Sequence, residues 1–300
     1  MRGTEPALWQ RRVVAMTRVP ERVRAACRGV PERERWLAAL PSAVVAACER
    51  WDLRLGPTFD GPEVSAAWVA PGTRADGRAV VLKLGMPHHE GADEARGLRL
   101  WDGDPTVALL AYDAGTGAML LERCEPGTPL RSRPAGEQDA VIGHVLRRLH
   151  REAPPGHGLR PLDTMLAAWS DATRRNEARW RDASLVRAGL ERCAELLATA
   201  RASRLLATDL HAGNVLAAQR EPWLVIDPKP FVGDPTFDAT QHLLNGLERL
   251  RGDPFDTIAR VADLAGLDPE RVRGWTFVRL LVEPPGGWTE AGDALARTLA

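Results

Sequence analysis

The chain is predicted to be an α+β protein of two lobes, a small antiparallel β-rich lobe followed by a larger, mainly helical one. Three observations carry that expectation. Between Leu53 and Glu125 five short apolar, partly β-branched runs (LRLGPTF, VSAAWVAP, RAVVLKLG, TVALLAYDAG and GAMLLERCE) are punctuated by Gly, Pro and Asp, the mark of strands joined by hairpins. Beyond Pro134 the apolar residues recur at the helical period through AGEQDAVIGHVLRRLHREAP, LDTMLAAWSDATRRNEARW and SLVRAGLERCAELLATAR. A length of 300 residues also exceeds what one hydrophobic core usually organises.

Taken in order, residues 1–18 show no clear period and are expected to be a flexible extension. Residues 20–51 carry apolar residues at helical spacing broken by Pro31 and Pro41, which predicts two or three short helices bracing a larger body. Between the third and fourth strands, Ala92, Ala95, Leu98 and Trp101 recur at three-residue steps, so HHEGADEARGLRLWDG reads as a helix. The resulting layout is a lobe over residues 19–123, a hinge near Glu122 to Pro126, and a helical lobe over residues 124–300.

Composition narrows the function classes. Forty basic and forty acidic residues cancel, which removes the diffuse positive field of a nucleic-acid or anionic-membrane binder. Cys27, Cys48, Cys124 and Cys193 are scattered without a C-x-x-C pair, so reduced, buried thiols are expected rather than a zinc ribbon or a disulfide framework. No apolar run approaches the roughly 20 residues that span a bilayer, and Arg11, Arg12 and Arg18 interrupt the first twenty, so a cytoplasmic location is expected. Of the forty basic residues only Lys83 and Lys229 are lysines. A compact point charge at Lys83, in place of a planar guanidinium, suits a site with little room.

The chemistry concentrates between Ala207 and Asp238, ATDLHAGNVLAAQREPWLVIDPKPFVGDPTFD. The run into Asp209 ends a strand, and Gly213 allows the turn that follows, which leaves the Asp209 carboxylate at the end of a rigid element where it can accept a hydroxyl proton. Five residues on, Asn214 offers an amide oxygen, a neutral ligand for a hard cation. PWLVIDP is a buried strand ending at Asp227, and a second carboxylate beside the first calls for a divalent ion between them, so Asp227 is the expected main Mg²⁺ ligand. Upstream, Lys83 lies in the apolar strand AVVLKLG, where its charge requires an acidic partner such as Glu90 or Glu94 and a ligand phosphate. These are the parts of a phosphoryl-transfer site.

The segments AVVLKLG, EARGLRLW, MLLERCEPGTPL, ATDLHAGNVL and VIDPKPFVGDPTFDATQHLLN resemble the aminoglycoside phosphotransferase family, in wording closest to its streptomycin 6-phosphotransferase and hydroxyurea phosphotransferase branch. The resemblance implies a protein-kinase-like fold that moves the γ-phosphate of ATP, or less often GTP, onto a hydroxyl of a small, cationic antibiotic, with streptomycin at its 6-hydroxyl as the best acceptor. Kinases of the same fold acting on a peptide antibiotic, a sugar or an amino alcohol are the nearest rivals, and a nucleotide-binding pseudokinase is the rival from another class. It further implies that Lys83 and Glu94 hold the nucleotide phosphates, Asp209 is catalytic, Asn214 and Asp227 bind Mg²⁺, and main-chain groups at Glu122, Arg123 and Cys124 meet the adenine. A monomer or weak dimer without nucleic-acid or membrane partners is expected.

The chain departs from the family pattern in three places. The usual H-G-D is Ala207-Thr208-Asp209, so Thr208 is expected to supply a hydrogen bond in place of the missing histidine. Lys229 follows Asp227 closely, with phosphate, substrate, Asp234 or Asp238 as its expected partners. The first hairpin lacks a full glycine-rich loop, leaving Gly61 and Ser65 as the candidates to cover the phosphates. Asp234 and Asp238 resemble a helix-capping segment and His211 a turn stabiliser. For a cationic acceptor the helical lobe offers Asp163, Asp171, Glu177, Glu248 and Glu283.

Overall fold

The computed structural model describes residues 18–61, 66–284 and 286–300. They divide into two compact units: one runs to Gly127 and also takes in Ala218–Arg220, and the other comprises Thr128–Ala217 and Glu221–Ala300. The expected extension falls almost entirely outside the described residues, as does Ser65.

In the first unit the five predicted runs form β1 (Leu53–Leu55), β2 (Ala67–Arg74), β3 (Ala79–Gly85), β4 (Leu109–Asp113) and β5 (Ala118–Glu122). They make one antiparallel sheet in the order β1-β2-β3-β5-β4. The two-residue period of β3 sends Val80, Leu82 and Leu84 into a core with Trp68 and Ala70, and therefore sends Lys83 to the opposite face. Two helices, α1 (Glu21–Cys27) and α2 (Pro31–Trp51), cover the apolar face through Val23, Leu40, Val44 and Ala47.

Pro41 does not break α2, contrary to the expectation from sequence; Pro31 opens that helix and Pro41 lies inside it. An internal proline costs about 3 kcal/mol. Leu40 and Val44, each at most 1 % exposed, flank it on the sheet-facing side, and burying two such side chains is worth about 3 to 6 kcal/mol. Packing therefore outweighs the local defect.

The second unit is mainly helical: α4 (Ala135–Leu149), α5 (Leu162–Arg175), α6 (Ala183–Ala198), α7 (Ala239–Asn245), α8 (Leu247–Gly252), α9 (Pro254–Ala265), α10 (Pro269–Leu281) and α11 (Glu290–Leu299). Asp182 caps α6 by accepting from the Ser184 and Leu185 N–H groups, and Asp268 caps α10, whose first residue is Pro269. Leu162, Met165 and Leu166 of α5, Cys193 and Leu196 of α6, and Trp275 and Val278 of α10 share one core with Leu206, Phe231 and Phe237. One small antiparallel pair, β6 (Arg204–Leu206) with β9 (Phe231–Gly233), joins it through Leu206 and Phe231, and a second pairs β7 (Val215–Ala217) with β8 (Trp223–Val225). Among the described residues no helix is long and apolar enough to cross a membrane.

Candidate active site

The helical unit brings Asp209, Asn214 and Asp227 together by backbone straps. β6 and β9 pair through Leu206 and Phe231, and the Lys229 N–H donates to the Ala207 carbonyl at 2.8 Å, carrying the pairing past the strand end. The Thr208 hydroxyl donates to the Lys229 carbonyl at 2.7 Å. Segments 207–209 and 227–229 are thus laced side by side. In the second hairpin the Ile226 N–H donates to the Asn214 carbonyl at 2.9 Å, one step beyond Val215 and Val225, which sets Asn214 next to the residue preceding Asp227. The Asn214 side-chain amide then donates to the Asp209 carbonyl at 3.0 Å, closing the loop between the two.

Two of these positions have left-handed backbone, Thr208 with φ 46° and Asp227 with φ 52°. Aspartate tolerates that region, whereas a β-branched residue there is an outlier that the surroundings must hold. They do so through Asp238. Its fully buried carboxylate accepts from the Thr208 N–H at 2.7 Å and the Ala207 N–H at 2.9 Å, and the His150 ring meets it at 3.1 Å. Asp238 was expected to cap α7; it makes no side-chain cap bond there, because the two loop N–H groups take its oxygens. Asp234 does cap, accepting from the Thr236 N–H at 3.0 Å, and it also receives Arg271 and the Trp275 indole N–H.

Lys229 also differs from expectation. Its ammonium reaches Asp227 Oδ1 at 2.5 Å rather than Asp234 or Asp238, whose oxygens are taken by the groups just described. His211 stabilises the turn, its Nδ1 accepting from the Gly213 N–H at 3.0 Å. On Asp209 itself, the Gln241 side-chain amide donates to Oδ1 at 2.8 Å, and Arg279 Nη2 donates in turn to Gln241 Oε1 at 2.8 Å. Neither residue had been singled out from sequence, although an arginine inside the apolar stretch GWTFVRLLV is a readable signal.

The β-rich unit carries the other sequence-predicted residues. Lys83 Nζ meets Glu94 Oε1 at 2.5 Å, with side chains 7 % and 5 % exposed, so Glu94, the first residue of α3 (Glu94–Trp101), pairs with it. Gly61 lies in the connection between β1 and β2. Glu122 ends β5 with its carboxylate accepting from Arg220 and from the Ala108 N–H at 3.0 Å. Burial raises the Glu122 carboxyl, but those two partners outweigh it and hold it below the usual carboxylate range. Arg123 pairs loosely with Glu125 at 3.6 Å, and burial pushes the Cys124 thiol up to about 12. Gly127 adopts φ 73° with the Cys124 carbonyl 3.0 Å from where a Cβ would sit, a turn no other residue fits easily. Of the carboxylates offered for an acceptor, Asp171 bonds Arg174 and Glu177 bonds Arg187 on the exposed surface.

Asp227 and Asn214 suit a hard divalent cation by chemistry, one carboxylate and one amide oxygen. Among the described residues no group of three His, Cys, Asp or Glu could hold a metal. Such a donor pair leaves the remaining positions of a six-coordinate shell to other hard oxygen donors, such as phosphate and water.

A family model described as aminoglycoside/hydroxyurea antibiotic resistance kinase matches residues 55–286. The chain belongs to this family. It is 41 % identical over 284 residues to a hydroxyurea phosphotransferase of Kitasatospora aureofaciens, covering 91 % of this chain and 81 % of the relative. It is 39 % identical over 262 residues to a streptomycin 6-kinase of Streptomyces griseus, covering 84 % of each. Solved structures agree on the fold. A choline kinase from Streptococcus pneumoniae superposes with TM-score 0.59 at 14 % identity, over 85 % of this chain and 96 % of that one. A spectinomycin phosphotransferase in complex with ADP and spectinomycin gives TM-score 0.51 at 13 % identity, over 86 % and 93 %. The fold class expected from sequence, α+β and protein-kinase-like, is the one found, and the chain is a kinase of small molecules by family.

Proposed function

We propose that the chain transfers the γ-phosphate of ATP to a hydroxyl of streptomycin, with the 6-hydroxyl as the acceptor. The observation that carries this reading is the laced segment 207–229, which holds a carboxylate, an amide and a second carboxylate at one place in a chain 39 % identical to a streptomycin 6-kinase. In the reaction the acceptor O–H gives its proton to the Asp209 carboxylate, and its oxygen forms the new bond to the γ-phosphorus. The bond from that phosphorus to the β–γ bridging oxygen breaks, and ADP leaves. Asn214 and Asp227 are the residues that would hold Mg²⁺, which when bound supplies charge neutralisation on the phosphates. Lys83, steadied by Glu94, is assigned to the nucleotide phosphates, Gly61 and Ser65 to the loop over them, and the main chain of Glu122, Arg123 and Cys124 to the adenine.

Hydroxyurea is the second reading, favoured by the 41 % identity to a hydroxyurea phosphotransferase over 91 % of the chain. Mass spectrometry after incubation with Mg-ATP and each compound separates the two. One added phosphate on streptomycin supports the first reading; phosphate on hydroxyurea alone replaces it with the second; neither product, with Mg-ATP still bound, removes both.

A further inference from the structure

We propose that Gln241 and Arg279 are positioning residues that act on the reaction through the Asp209 carboxylate, an inference resting on the reading of Asp209 as the group that receives the acceptor proton. Arg279 sits on α10 in a nearly sealed place, 5 % exposed, with its guanidinium carbon 4.6 Å from the Trp169 ring centroid and 5.6 Å from that of Phe237. A charge so placed has lost most of its water, and the aromatic faces stabilise it without fixing its hydrogens. A directional partner is Gln241 Oε1 at 2.8 Å, on α7.

That bond decides which way the Gln241 amide faces. Arginine has only donors, so the amide oxygen must turn to Arg279 and the NH₂ must turn away from it. The NH₂ then meets Asp209 Oδ1 at 2.8 Å, and an ionised carboxylate has only acceptors, so both ends of the amide agree on one orientation. Arg279 thereby polarises the amide that donates to Asp209, and the donation fixes the rotation of the carboxylate plane. A carboxylate that must lie in line with a hydroxyl and a phosphorus loses rate steeply when it turns.

The arrangement separates holding the fold from holding the carboxylate. In Gln241→Glu the arginine keeps a partner, now a charged one, while Asp209 loses the Gln241 donor and faces a second carboxylate. In Gln241→Met both bonds go. The test measures kcat and KM for streptomycin and Mg-ATP, with melting temperature, in the wild-type chain, Q241E, Q241M, D209N and the double variant D209N/Q241E. We expect Q241E, which keeps a partner for Arg279, to melt no lower than Q241M, to lose about 10- to 100-fold in kcat, the range of one hydrogen bond to a charged group, and to keep both KM values within about twofold. Q241M loses similar activity and also stability. D209N/Q241E is no slower than D209N, because the amide acts only through that carboxylate.

Q241E within about twofold of wild-type kcat, or a further tenfold loss in D209N/Q241E, overturns the relay while leaving Asp209 in place. D209N keeping near-normal turnover removes the reading of Asp209 and the relay with it. A readout independent of any acceptor is the ¹⁵N-resolved side-chain amide of Gln241: its bonded proton is expected upfield in D209N, and an unmoved resonance also overturns the proposal.

Discussion

Replacing Lys83 by methionine probes the pair it makes with Glu94. Both side chains are more than nine-tenths buried, and the 2.5 Å contact lies between β3 and α3. Methionine keeps the aliphatic stem against Val69 and Met119, its register partners, so packing changes little while the Glu94 carboxylate loses its ammonium. Breaking a buried pair from one side costs about 3 to 5 kcal/mol, whereas an exposed pair costs at most about 1 kcal/mol. Replacing both members by apolar residues of like volume is often neutral or stabilising. We therefore expect K83M to lose about 3 kcal/mol and K83M/E94L to regain most of it. Urea unfolding followed by tryptophan fluorescence reads both, since Trp68 and Trp101 are buried in the same unit. On the proposed assignment of Lys83 to the nucleotide phosphates, the catalytic readout points the other way: the double variant, restored in stability, is expected to keep a raised KM for ATP. A loss below about 1 kcal/mol in K83M, or no recovery in the double variant, would refute the argument that burial makes this pair matter.

Three further outcomes follow from the same geometry. Thr208→Ala keeps the positive φ and loses the bond to the Lys229 carbonyl, whereas Thr208→Gly also relieves a backbone cost of about 1 to 2 kcal/mol, so thermal melting is expected to rank T208G above T208A. Asp238→Asn retains one acceptor for the Ala207 and Thr208 N–H groups where the carboxylate offers two, and should cost about 2 kcal/mol together with activity, measured by denaturation and turnover. Burial raises Cys48 and Cys124 from 9.0 to about 12, so they stay neutral in the folded chain while unfolded thiols ionise; the stability they contribute is whole below pH 9 and is lost as pH rises toward 12. Cys124→Ser should flatten that decline, and an unchanged slope in denaturation at pH 9 to 11 would contradict it.

The arrangement of strands and helices was legible because its signals are periodic and local. Five apolar runs with Gly and Pro between them became five strands, and the three-residue step of Leu98 and Trp101 became α3. Pro41 was misread because a local rule cannot see the sheet against which Leu40 and Val44 pack. Lys83 with Glu94 was half legible: the sequence required an acidic partner for a buried lysine but left Glu90 and Glu94 open, and the start of α3 brings Glu94 to it.

By itself the sequence singled out the groups proposed here for phosphoryl transfer. An aspartate, an asparagine and a second aspartate at strand ends can be read without coordinates, because their spacing depends on turns only a few residues long. Only the tertiary structure decided how those groups are held. Asp238 is 30 residues from Thr208, and Gln241 and Arg279 are 32 and 70 residues from Asp209 in the chain, the first two separations being those of bonds made across the fold. No local period records such contacts, since each depends on where separate helices come to rest on a shared core. Lys229 is the local exception: its ammonium reaches Asp227 only two residues away, while Asp234 and Asp238 accept from Arg271, Trp275 and the loop N–H groups.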